Sequence, residues 1–288
     1  MSWAAGGGPA HEGAANGPTA HGGRGVEGPG QHRPEDADAE LDALGPFFTI
    51  GRHDPADPPA GGWRPLREIT SEPAVLDERV AAVREFLAAG SGIPAGRVEV
   101  RVAASVAHLG MAARLTSPLL ATAVLRGRVP RLTLDDLRWQ ATLGGAFPLS
   151  LPRSGGGGTA VAPPSSDAGA GTAALLVDDL ALPLAAAFSR FGVSEPILRG
   201  NTASALAGAA RMLAGAGRSG GTGGGSAPDA RALVEELLRH PFLRGAGAYG
   251  GFRGFRRRSC CLIYRAAPAR NGPLCGDCVL DRPAGRTR

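Results

Sequence analysis

The sequence predicts a mainly α protein, α+β with a few short strands, built as a helical body with a small irregular C-terminal module. Three observations carry this. Apolar residues recur at three- and four-residue spacings in several segments between residues 74 and 239. Two glycine-rich stretches, 153–172 and 215–228, separate those segments. All four cysteines, Cys260, Cys261, Cys275 and Cys278, fall in a tail where helical spacing has stopped.

Residues 1–40 hold Gly, Ala, Pro, His and acids with no apolar period. They read as a disordered leader, because they offer too little apolar surface to offset chain entropy. An N-terminal helical part is expected over 41–152. Within it, 74–90 reads as a helix: Val75, Leu76, Val80, Val83 and Leu87 share one face, and Ser71 and Glu72 precede them as start signals. Residues 98–102 alternate as a short strand would, and a helix from there through Leu109 fits as well. Ala112–Leu125 reads as helical, with Pro118 where a fresh turn would start. A short helix over Leu134–Trp139 and an apolar piece, Phe147–Leu151, complete this part.

Residues 153–172 contain 6 Gly, 3 Ser and 2 Pro, the composition of a flexible linker. A second helical part is expected over 173–239. Leu175, Leu176, Leu180, Leu184 and Phe188 mark a helix in 173–192. Asn201–Ala214 reads as a helix rich in small residues that permit close packing, with Asn201 as its cap. After the loop at 215–228, Ala230–Arg239 forms a third helix, which Pro241 ends. Residues 240–288 form the cysteine module.

Composition narrows the function classes. The chain has no lysine, so all 31 basic residues are arginine, each a guanidinium of fixed charge and fork geometry. Residues 239–288 hold 11 Arg against Asp277 and Asp281, a net charge of +9, while the whole chain carries +5. No window offers the ~18 uncharged apolar residues of a membrane span. Asp178 and Asp179 interrupt one apolar region, and Arg101, His108 and Arg114 interrupt another. The N-terminus lacks the basic and apolar regions of a signal peptide, so the expected compartment is the cytoplasm, where thiols stay reduced. The glycine runs at 155–158 and 220–225 lack the Lys-Ser/Thr of a phosphate loop, and no Gly-x-Gly-x-x-Gly unit marks a nicotinamide or flavin site. The basic tail has no recognised nucleic-acid-binding motif, so no specific nucleic-acid partner is expected.

The cysteines are spaced C-C-x13-C-x2-C. Four thiolates suit Zn(II) or an iron–sulfur cluster. Neighbouring side chains on an extended chain diverge, and a binuclear cluster accepts divergent neighbours more easily than one tetrahedral ion does. Cys275 and Cys278 form a chelating turn, with Gly276 free to take unusual backbone angles.

The string RRRSCCLIYR…CGDC resembles the C-terminal signature of the FhuF-type ferric siderophore reductases. Further pieces are similar upstream: ARLTSPLLATAVL (113–125), LRGNTASALAGAARML (198–213) and HPFLRGAGAY (240–249). The likeness covers about 75–288. It implies a cytoplasmic oxidoreductase with a [2Fe-2S] cluster on Cys260, Cys261, Cys275 and Cys278. Such an enzyme turns Fe(III) in a siderophore into Fe(II), with electrons from a protein donor such as a ferredoxin. Two features depart from the family: 13 residues lie between the cysteine pairs where about ten are usual, and Arg199 stands where an aromatic is usual before Gly-Asn. The extra length is expected as a small loop insertion over Ala266–Pro273. Two other classes fit the same residues, an iron–sulfur redox sensor or electron carrier and a zinc-stabilised interaction protein.

Arg256, Arg257 and Arg258 sit beside the first cysteine pair. They are candidates for contact with an anionic chelate or an acidic donor, or they form a solvated charge run. His108 reads as a packed or capping residue and His240 as a helix C-terminal cap. One-electron transfer needs no general acid or nucleophile, so no catalytic side chain is expected beyond the cluster ligands.

Overall fold

Helices supply most of the architecture and two small sheets the rest. The computed structural model describes residues 34–127, 129–143, 145–153, 168–217, 230–250 and 254–281. In chain order the elements begin with α1 (Pro34–Ala43), β1 (Gly51–His53), β2 (Arg64–Pro65), α2 (Glu68–Ser71), α3 (Pro73–Ser91) and α4 (Val100–Arg126). They continue with β3 (Arg138–Trp139), β4 (Leu149–Pro152), α5 (Ala168–Ala173), α6 (Leu182–Ser189), α7 (Glu195–Gly217), α8 (Ala230–Leu237), β5 (Gly247–Tyr249) and β6 (Phe255–Arg257). A π-helical stretch, Ala174–Ala181, joins α5 to α6 without a break.

The 27-residue α4 is the axis of the body. It is buried on most sides, and it packs most extensively against α7 and next against α3. Alanines on both helices (Ala103, Ala104 and Ala107 against Ala203, Ala207 and Ala210) are all nearly inaccessible, as expected where small side chains let backbones approach. One apolar cluster runs from Leu41 through Leu176 and Leu206 to Phe255, so both helical parts share a core.

Pro118 does not start a new helix. It sits inside α4, where its missing N–H removes one helical bond. The helix continues because its flanks are buried against the rest of the body. Residues 98–102 are not a strand: Glu99 flanks the N-terminus of α4 in extended conformation, and the helix starts at Val100.

The larger sheet has the order β1-β4-β3-β2, with β1 and β4 parallel and the other neighbours antiparallel. The apolar piece at 147–151 thus becomes β4. The expected helix over Leu134–Trp139 is instead a 3-10 turn (Leu134–Asp136) followed by β3. Thr133 and Asp136 close a reciprocal cap at its start. Arg114, 2% exposed, fixes the sheet to α4. Its guanidinium donates to the carbonyls of Phe147 (2.7 Å), Phe47 (3.0 Å) and Thr49.

The segment boundaries shift at three places. The leader's last residues, from Pro34, belong to α1, where Asp38 pairs with Arg52 at 2.6 Å and Leu41 is buried. Residues 168–172 of the linker are helical, and α7 extends to Gly217 within the glycine-rich loop. The remainder of the leader (1–33), the linker (154–167) and the loop (218–228) lies outside the described residues. Gly171–Ser189 has the length and composition of a membrane-crossing helix in spite of Asp178 and Asp179. Half of it is buried, and Leu176, Val177, Leu180 and Phe188 lie in the shared core, so it gives no clear transmembrane segment.

Candidate metal centre

The cysteine module begins as a hairpin. β5 and β6 pair antiparallel, with Gly247 opposite Arg257 and Tyr249 opposite Phe255. Gly247 is required there: a Cβ would lie 2.7 Å from the Arg256 carbonyl oxygen and 2.3 Å from the Phe255 ring. β6 then delivers Arg257 to the body and the Cys260–Cys261 pair just beyond it.

The body receives Arg257 at α7. The side chain is 1% exposed; its Nε donates to the Ser259 carbonyl at 2.6 Å, and Nη2 donates to Asn201 Oδ1 at 2.6 Å. Asn201, also fully buried, donates from Nδ2 to the Ser105 carbonyl at 2.9 Å. Ser105 Oγ in turn donates to the Cys261 carbonyl at 2.8 Å. A continuous buried chain, Arg257–Asn201–Ser105–Cys261, therefore fastens the module across α7 and α4. Gly200 makes room for it, since a Cβ would meet Ser259 Oγ at 2.2 Å and Arg257 Nη2 at 3.0 Å.

Asn201 is thus not a helix cap. α7 starts six residues earlier at Glu195, and Asn201 uses its amide between helices instead. Arg199 pairs with Glu195 at 3.7 Å. Lower down, Leu262 and Ala266 pack on Ala88, Val98 and Val102, while Arg265 and Arg270 reach Glu99 at 2.7 and 3.1 Å.

The four cysteines are free thiols. Cys261 (1% exposed) and Cys278 (2%) are buried, and Cys260 and Cys275 are partly exposed. Two contacts hold the second pair against the first: the Arg257 amide donates to the Asp277 carbonyl at 3.2 Å, and Arg256 Nη2 donates to the Cys278 carbonyl at 2.6 Å. The Cys261 and Cys275 thiols share a hydrogen bond, which holds Cys261 below the usual thiol range and, together with burial, pushes Cys275 up. Burial raises Cys260, opposed by the Leu262 amide. Backbone amides donate to sulfur at Leu262→Cys260 (3.3 Å), Leu280→Cys278 (3.3 Å) and Ile263→Cys261. Amides of this kind stabilise sulfur that carries negative charge.

Among the described residues, no set of three or more His, Cys, Asp or Glu side chains closes on a point where it could hold one metal ion. Of the four, Cys261 and Cys275 face each other, and backbone amides donate to Cys260, Cys261 and Cys278. The donor set is soft and suits zinc or iron with sulfide.

No family model matches the chain, and no curated protein matches it either.

The 13 residues between the pairs include two 3-10 turns, Ile263–Ala266 and Pro268–Arg270. The Gly272 amide closes them by donating to the Tyr264 carbonyl at 2.8 Å. The three arginines of the run separate. Arg257 is internal. Arg256 is half-buried and spends its donors on Cys278 and Asp281. Arg258 is exposed, with its amide on the Ala246 carbonyl. Arg257 is therefore not part of a solvated charge run, whereas Arg258 is exposed.

His108 is completely buried in α4, edge-on to Phe188 at 5.3 Å, and neither ring nitrogen has a hydrogen-bond partner. Burial first and the Arg257 charge second pull its pKa down to about 3, so it is neutral packing. His240 is not a helix cap: its Nε2 pairs with Asp178 at 3.1 Å and its Nδ1 accepts from the Phe242 amide, tying the end of α8 to the π-helical stretch. Sequence reasoning missed Ser105, Gly200 and Asn201 as supports of the cysteines. The Gly-Asn pair of the upstream likeness was the available signal.

Proposed function

We propose that this chain is a cytoplasmic one-electron reductase that converts Fe(III) held by a siderophore into Fe(II). The observation that carries the reading is the fastening of four free cysteines, two of them with facing thiols, onto the helical body by Arg257, Asn201 and Ser105. The resemblance supports it in a specific way: its Gly-Asn segment and its RRRSCC string touch each other through Asn201 and Arg257.

Cys260, Cys261, Cys275 and Cys278 would hold a [2Fe-2S] cluster, which supplies a carrier for one electron at a time. The chain's own part is to hold the sulfurs, donate backbone N–H groups to them, and keep Cys260 and Cys275 near the surface, where an electron can enter or leave. The electron comes from a protein donor such as a ferredoxin and passes to the substrate Fe(III). Hard oxygen ligands hold Fe(III) far better than Fe(II), so the reduced ion is released.

Anaerobic purification tests the reading. Iron and acid-labile sulfide in equal amounts, an EPR signal that appears on reduction, and turnover of a ferric siderophore with a reduced ferredoxin are the expected results. Zinc in place of iron, or a cluster that no ferric siderophore oxidises, would overturn it.

A further inference from the structure

Arg257 is a buried cation whose visible partners are all neutral. The carbonyls of Ser259 and Ile197 and the amide oxygen of Asn201 accept its bonds, and Nη1 has no partner. Among the described residues no carboxylate lies within ion-pair distance of it. A guanidinium stays charged. Burying it without an anion is strongly unfavourable, and folds keep such a group where negative charge sits nearby.

His108, which feels its charge, is neutral. Arg257 stands three residues before Cys260; its Nε holds the Ser259 carbonyl beside that cysteine at 2.6 Å, and its amide holds the Asp277 carbonyl beside Cys278 at 3.2 Å. Arg256 is compensated by Asp281, and Arg258 lies in water, where its field is screened.

We propose that Arg257, alone among the three neighbouring arginines, is the buried counter-ion of an anionic metal–thiolate centre on Cys260, Cys261, Cys275 and Cys278. The inference rests on reading those four cysteines as metal ligands. Thiolates around iron and sulfide carry net negative charge, and one unit more after reduction. A fixed buried cation therefore favours both metal retention and the reduced state, and Asn201, with the two carbonyls, holds it in place. Arg257 is a positioning and charge-setting residue and touches no substrate.

The test compares Arg257→Gln, Arg257→Lys and Arg258→Gln with the wild-type holoprotein. Mediated redox titration reads the potential, and challenge with a chelator reads the rate of metal loss. Arg257→Gln should titrate at a more negative potential and lose metal about ten- to a hundredfold faster. Arg258→Gln should follow the wild type, and Arg257→Lys should stay close to it. If Arg257→Gln and Arg258→Gln behave alike, the inference falls and the reductase reading stands. If Arg257→Gln does not fold, Arg257→Lys decides: a wild-type potential supports the counter-ion, and a lowered one overturns it. Should the protein carry zinc, the reductase reading falls, and the chelator rates still decide the inference by the same comparison. A protein that binds no metal overturns both.

Discussion

Replacing Asn201 by alanine should loosen the cysteine module from the body before it disturbs either part alone. The Asn201 side chain is fully buried, accepts from Arg257 at 2.6 Å and donates to Ser105 at 2.9 Å. A hydrogen bond to a charged group contributes about 1.5–3 kcal/mol, and a buried polar group left without its partner costs about 1–3 kcal/mol. Without Asn201, Arg257 Nη2 keeps only the Ile197 carbonyl at 3.4 Å. The two effects overlap, so the expected loss is about 3–5 kcal/mol, set against the ~5–15 kcal/mol that stabilises a typical domain. For a chain of this size, that lowers Tm by about 6–20 °C. Thr202→Val is the companion. Thr202 is equally buried, yet its hydroxyl only bonds the Leu198 carbonyl within α7, at 3.3 Å. Its loss should cost about 1 kcal/mol. Thermal and denaturant unfolding measure both, and amide hydrogen exchange over 255–266 shows whether the module opens first. An Asn201→Ala protein within about 1 kcal/mol of wild type, with unchanged protection over 255–266, would refute the coupling.

Three further outcomes follow from the same contacts. On the proposal that the four cysteines hold a [2Fe-2S] cluster, serine at any one of Cys260, Cys261, Cys275 or Cys278 should remove or strongly perturb its visible spectrum, and an intact spectrum strikes that residue from the ligand set. Arg114→Leu strands the carbonyls of Phe47, Thr49 and Phe147, so urea unfolding should show a loss of about 3 kcal/mol or more, and a loss below about 1 kcal/mol contradicts it. His108 titrates near 6.5 when unfolded and at about 3 when buried, so only the unfolded chain takes the proton as pH falls between those values. Stability is then full above pH 6.5 and declines toward pH 3, by at most about 1.4 kcal/mol per pH unit, and His108→Leu should flatten that decline.

The helices were legible because their faces repeat. Leu76, Val80 and Val83 announce α3, and Leu176, Leu180 and Leu184 announce the helix from α5 to α6. The larger sheet was not. Its strands are two to four residues long, and β1 pairs with β4 across a hundred residues of chain, so no local period records it. Pro118 misled for a related reason. Its local cost is fixed by chemistry, while the burial that offsets it comes from helices elsewhere in the chain. Glycine content predicts a linker over 153–172 and a loop over 215–228, yet α5 begins at Ala168 and α7 runs to Gly217. A helix docked on one side tolerates glycine that an isolated one would not.

The candidate site divides along the same line. Cysteine type and spacing can be read directly, because a soft donor keeps its chemistry wherever the fold places it. The supports cannot be read that way. Asn201 before a run of alanines has the appearance of a cap, and only the body and module together show its amide bridging Ser105 and Arg257. Arg256, Arg257 and Arg258 are identical in sequence terms. Alternation along β6 turns the middle one inward, and the space left by Gly200 admits it. Identity of residue type therefore says little about electrostatic effect here. A guanidinium in water is screened within about 10 Å, whereas one that is 1% exposed acts through a medium of much lower dielectric. A triple substitution of the run would mix these two cases with the loss of the Asn201 bond, and only single substitutions at 257 and 258 separate charge from architecture.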